Sequence, residues 1–247
     1  MEQQQQFEIQ GGSLEKSLNG ETQLDLKAIA KEAWDLSKER KSEILKGAML
    51  IVFVGMFIFW GLLFYFDVSD LTQLPPKMEI TFQILLIVFS APIIVAMLLI
   101  GMFHSVGIKP TFIALLKHAM GSALVILLAL LVAALTDVGM RLLILPGLYL
   151  SMATGFSLML LVDKKLAPSQ AILQSIKVFN KYWTPLAIFY IVSLFAFIMG
   201  MFSFGVAYIW LIPFYINFKG VLYRELFGVK VLSVKDQANQ DETIFHA

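Results

Sequence analysis

Six apolar runs, almost free of charge, alternate along this chain with short polar stretches. They cover about Gly47–Phe66, Ile80–Met102, Met120–Leu135, Leu142–Val162, Thr184–Phe202 and Val206–Leu222. Runs near this length match a helix crossing roughly 30 Å of hydrocarbon. The pattern predicts an all-α polytopic membrane protein with six transmembrane helices. Asp67–Glu79, with Pro75 and Pro76, reads as a loop, Thr136–Arg141 as a tight turn and Ser203–Gly205 as another.

Between the spans the periodicity changes. Leu26, Ile29, Ala30, Ala33 and Leu36 recur at helical spacing after Asp25, a suitable cap, while Lys27, Lys31, Glu32, Asp35, Lys38 and Glu39 fill the other faces. Such a helix lies in the interface with Trp34 near headgroup level, or packs on the protein's own surface. Pro110 with Phe112, Ile113, Leu115 and Leu116 predicts a second amphipathic helix. Pro168 with Ile172, Ile176 and Phe179 predicts a third. The expected organisation is a disordered tail over 1–23, an amphipathic interfacial helix over 24–46, a six-helix domain over 47–222 and a polar tail over 223–247. The Gln3–Gln6 run and Gly11-Gly12 carry too little apolar surface to offset the entropy of ordering.

The order amphipathic helix, span, connection, span occurs three times. The second span of each hairpin holds a proline (Pro92, Pro146, Pro213) followed by a glycine (Gly101, Gly155, Gly220). Proline bends a span by removing one backbone bond, and glycine allows close helix packing. A threefold hairpin repeat follows as an expectation, although both residue types are common in membrane helices.

Composition agrees: 58% of residues are hydrophobic, 15% are charged and there is no cysteine, which excludes disulfides and thiolate chemistry. The polar first twenty residues lack the apolar core of a cleavable signal. Of the 19 Lys and Arg residues, all but Lys77 and Arg141 fall on the side that would hold both termini and the amphipathic helices. The positive-inside rule then makes both termini cytoplasmic.

Candidate chemistry is sparse. No ionisable group lies well inside the first five spans, and Lys219, near the inner end of the sixth, reads as snorkelling to the surface. Asn217, Thr154, Ser151 and Ser157 read as interhelical hydrogen-bonding groups. His104 and His118 are too far apart in sequence for a convincing metal pair. Ser157 lacks the second glycine of a nucleophile elbow, and no phosphate loop occurs. No catalytic residue, metal site, cofactor or nucleic-acid partner is expected. Lys164, Lys165, Lys177 and Lys181, beside one amphipathic helix, are the candidate contacts for anionic lipid headgroups.

The stretch LPGLYLSMATGFSLMLLVDKKLAPSQAILQSIKVFNKYW, from Leu145, is followed by two spans and FKGVLYRELFG. It resembles uncharacterised bacterial multi-pass inner-membrane proteins related to the membrane domain of glycerophosphodiester phosphodiesterases. The resemblance implies six spans, a bacterial inner-membrane location and a structural or accessory role, and it carries over no catalytic residue. Two functions follow as expectations. One is a non-enzymatic scaffold or accessory subunit of the cell envelope, with a membrane-protein partner or a second copy. The other is a lipid or amphiphile handler with a cavity among the bent helices and a basic rim. A small-solute transporter is the weakest reading, for want of buried ionisable groups.

Overall fold

The computed structural model describes residues 7–68 and 70–232. The Gln3–Gln6 run and the expected tail beyond 232 lie outside the described residues. The order is β1 (Phe7–Gln10), α1 (Leu14–Asn19), α2 (Leu26–Tyr65), α3 (Pro76–Ser105), α4 (Phe112–Met120), α5 (Ala123–Leu142), α6 (Ile144–Ala153), α7 (Ser157–Asp163), α8 (Pro168–Lys181), α9 (Trp183–Met201), α10 (Tyr208–Phe227) and β2 (Val229–Leu232).

Helix starts follow local chemistry. Asp25 Oδ1 accepts the Lys27 and Ala28 N–H groups at 2.9 and 3.1 Å, capping α2. Pro76 and Pro168 occupy first-turn positions of α3 and α8, where a missing donor costs little. Thr111 gives α4 no side-chain cap. Glu43 of α2 serves instead, its Oε2 accepting the Phe112 N–H at 2.8 Å.

The first amphipathic segment and the first apolar run form one 40-residue helix, α2, kinked at Arg40 (φ −132°, ψ 31°). Before the kink, Ile29, Ala33 and Ser37 are buried, so this segment packs on the protein's own surface and leaves Trp34 partly exposed. α10 lies against α2 and α3. Gly101 and Gly220 bring α3 and α10 into backbone contact: a Cβ on Gly220 would stand 2.1 Å from the Gly101 carbonyl carbon. α9 is held off from α10 by a layer of rings. Phe189 stacks on Phe218 with centroids 4.3 Å apart and planes 8° apart.

Five apolar segments are long enough to cross a membrane: α2, α3, α5, the α6–α7 pair and α9. Their outer surfaces are apolar too. Phe53, Phe57, Trp60 and Phe64 on α2, Leu127 and Leu131 on α5, and Val192, Phe195 and Met199 on α9 are all exposed. Patches this extensive are rare on soluble monomers. The arrangement is compatible with an integral membrane protein.

Several expectations are corrected. Residues 7–23, expected as a disordered tail, are largely built into the fold. β1 pairs antiparallel with β2, Phe7 opposite Leu232 and Gln10 opposite Val229. Ser17 Oγ donates to the Leu226 carbonyl at 2.6 Å, and Leu14 and Leu18 pack on the core. The partner strand satisfies backbone groups that the tail could not satisfy alone. The C-terminal tail likewise begins later than residue 223. Tyr223, Leu226 and Phe227 are buried on α10, and Val229 is buried on β2. The turn expected at 136–141 is still helix, with Asp137 and Arg141 paired at 2.8 Å one turn apart. The chain reverses at Leu143, which is extended.

The fourth run is broken. α6 and α7 are separated at Thr154–Phe156, and Ser175 of α8 bridges the break. Its Oγ donates to the Ala153 carbonyl at 2.6 Å and accepts the Phe156 N–H at 3.2 Å. Pro146, expected to bend this span, sits in the first turn of α6 instead, where no intrahelical donor is lost. Pro92 and Pro213 do lie inside α3 and α10.

Candidate functional site

Because the ring layer separates α9 from its neighbours, an open-sided crevice of about 240 Å³ lies between α6, α9 and α10. Leu148, Ser151 and Met152 line it from α6; Tyr190, Ser193, Leu194 and Phe197 from α9; Tyr215 from α10. Leu194 of its lining is exposed, as are Ile191 and Phe195 elsewhere on α9. Ser151 and Ser193 donate to the carbonyls of Leu148 and Phe189, leaving acceptor lone pairs toward the crevice. The Tyr190 hydroxyl is enclosed and has no hydrogen-bond partner among the described residues. It occupies the space of an absent side chain, since a Cβ on Gly155 would stand 2.0 Å from it.

Behind Tyr190 and Tyr215 lies Lys219. Its residue surface is only 6% exposed. Nζ lies 5.6, 5.9 and 5.8 Å from the ring centroids of Phe156, Tyr190 and Tyr215. No carboxylate pairs with it among the described residues. Each ring face offsets about 0.5–2 kcal/mol of the cost of holding an ammonium there. Burying an unpaired ion costs several kcal/mol, so the cage is an incomplete partner. The surface-snorkelling expectation for Lys219 is therefore overturned: the neighbouring rings enclose the side chain.

The other polar groups at depth divide in two. Asn217 joins three helices: its Oδ1 meets His104 Nδ1 of α3 at 2.9 Å, and its Nδ2 donates to Ser37 Oγ of α2 at 3.0 Å. Thr154, Ser151 and Ser157 were expected to bond between helices. They donate instead to carbonyls three or four residues earlier in their own segment, which at 154 and 157 serves the helix break.

The expected basic rim is only partly available. Lys164 Nζ donates to the Gly228 carbonyl at 2.7 Å and pairs with Asp163 at 3.0 Å, so it is committed to the C-terminal segment. Lys165, Lys177 and Lys181 are exposed. Of the three glycines marked for close packing, Gly101 and Gly220 touch each other and Gly155 makes room for the Tyr190 hydroxyl.

The sequence reading placed Lys219 at the surface and missed Tyr190. The available signal was Tyr215 one turn before Lys219, an aromatic and a cation on one helix face. Tyr190 and Phe156, from other helices, could not be paired with them from spacing alone. No family model, curated protein or solved structure matches this chain.

Proposed function

We propose that this protein is a non-catalytic, multi-pass inner-membrane protein that holds a lipid-like amphiphile in the crevice between α6, α9 and α10. The observation that carries the reading is the crevice itself. It is open-sided and mostly apolar, with the Ser151 and Ser193 side chains among its lining. A site that is mostly apolar with few polar groups suits one end of an amphiphile. The test is native mass spectrometry of the protein released from lipid nanodiscs. The wild type is expected to retain lipid, and Ser193→Phe, which fills the crevice, to lose it. Equal retention by both overturns the reading.

Six crossings with both ends in the cytoplasm belong to the same proposal. β1 and β2 are neighbours, which supports an even number of crossings between them. Five helices meet the length and apolarity of a span. α10 supplies the sixth crossing, and its lower apolarity fits a helix covered by α2 and α3. The distribution of Lys and Arg favours the cytoplasmic orientation. The chain has no cysteine, so a single introduced thiol can be followed. Ser203→Cys is expected to react with an impermeant maleimide from the outer face. Labelling from the cytoplasmic face would make α9–α10 a hairpin that does not cross.

A scaffold or accessory role is the second reading, favoured by α9, whose Val192, Phe195 and Met199 are left uncovered. A partner helix or a second copy would cover them as lipid does. A photoreactive residue at Phe195 should then yield one reproducible protein adduct, and lipid adducts alone would overturn it. Kinship with the phosphodiesterase membrane domain is proposed on the Leu145–Trp183 and Phe218–Gly228 stretches.

A further inference from the structure

Lys219 and Tyr190 share one deficiency. The Lys219 ammonium is enclosed by three ring faces and has no acceptor or carboxylate among the described residues. The Tyr190 hydroxyl beside it is enclosed and unpartnered. Acids elsewhere in the described residues are already engaged. Asp163 accepts from Tyr223 and pairs with Lys164, while Glu32 and Glu225 pair with Arg224. The group lacks an anionic oxygen, and a buried cation with free donors is complementary to one.

The direction of α10 orients such a ligand. Lys219 stands one turn closer than Tyr215 to the end of α10 that meets β2. An anionic head at Lys219 would face the side of the paired strands, with its tail passing Tyr215 and Ser193 along the crevice. The volume, about 240 Å³, accepts part of one acyl chain.

We infer that Lys219, with Tyr190, binds the anionic headgroup of a membrane lipid whose acyl chain enters the crevice. This rests on the crevice reading proposed above. The occupant is an acidic lipid, with a phosphate or carboxylate oxygen as the recognised atom.

The test compares phosphatidylglycerol and phosphatidylcholine of equal chain length, each offered to the full-length protein in nanodiscs and scored as retained adducts by native mass spectrometry. Wild type is expected to prefer phosphatidylglycerol by about tenfold, the scale of one charge-assisted contact. Lys219→Met should remove that preference, with Lys219→Arg restoring part of it. The apolar replacement suits a ring-lined site, and an unchanged thermal midpoint verifies folding. Ser193→Phe should remove both lipids. If Lys219→Met keeps the preference while Ser193→Phe removes both lipids, the Lys219 inference fails and the crevice reading stands. If Ser193→Phe removes neither, the crevice reading fails. Displacement of phosphatidylglycerol by millimolar inorganic phosphate would assign the site to a free anion and overturn the lipid assignment.

Discussion

Gly101 of α3 and Gly220 of α10 face each other so closely that neither tolerates a side chain. A Cβ on Gly101 would meet the Ile216 carbonyl oxygen at 2.3 Å, and one on Gly220 would meet the Gly101 carbonyl oxygen at 2.2 Å. The obstacles are backbone atoms, so rotamer changes cannot relieve the clash. Gly101→Ala or Gly220→Ala should cost about 1–3 kcal/mol or more, by forcing the helices apart. Gly61, with nothing within 4 Å of its Cβ position, is the control. Thermal unfolding in detergent should show a lower midpoint for the first two and no loss for Gly61→Ala.

Ser175 repairs the break between α6 and α7 by serving one donor and one acceptor of the main chain. Ser175→Ala removes the hydroxyl with little change of volume and leaves both groups unsatisfied, at about 1–3 kcal/mol each. Hydrogen exchange at Phe156 should quicken well beyond that of α3. Exchange unchanged at Phe156 would mean that the break is held by packing alone.

The Glu43 carboxylate caps α4 from another helix. Burial pushes its pKa up, but the Lys46 ammonium and the Phe112 N–H outweigh burial and hold it below the usual 4.5. A carboxyl lowered on folding contributes stability above its unfolded pKa, and that stability is lost as pH falls through the folded value. The first turn of α4 should therefore lose protection below about pH 4.5. Glu43→Ala should remove about 1 kcal/mol of capping at neutral pH and abolish the pH dependence. Protection factors measured against pH check both.

Arg224 ties three helices together. Its two terminal nitrogens meet Glu32 of α2 at 2.6 and 2.9 Å, and one of them also donates to the Ser105 carbonyl of α3. Lysine cannot reproduce this planar fork. Arg224→Lys should free the segment before the kink, making residues 26–39 more sensitive to protease while the apolar helices stay protected. Equal cleavage rates would reduce the fork to a surface pair, worth little.

What the sequence revealed, and what it hid, follows from the range of each interaction. Asp25, Pro168 and the spacing from Leu26 to Leu36 act within one or two turns, so the cap and the helix starts were legible. The lipid-facing runs were legible because their solvent is apolar throughout. β1 and β2 come from opposite ends of the chain, and neither short strand signals its partner. The break at Thr154–Phe156 depends on a hydroxyl supplied by α8, which no feature of the local run announces. Lys219 was misread because its depth is set by Phe156 and Tyr190 on other helices. Gly101 and Gly220 were visible as small residues, but their mutual contact required the packing of α10.

The pairing of β1 with β2 has a consequence for biosynthesis. Residues 7–10 are made before their partners at 229–232, which follow only after the apolar helices between them. At about 5–20 residues per second, the early strand waits on the order of tens of seconds with its backbone unmatched. During that interval its backbone groups must be met by water or by other partners. Closure of the two strands is thus a late assembly step, and a chain truncated within α10 would carry an N-terminal strand with nothing to join.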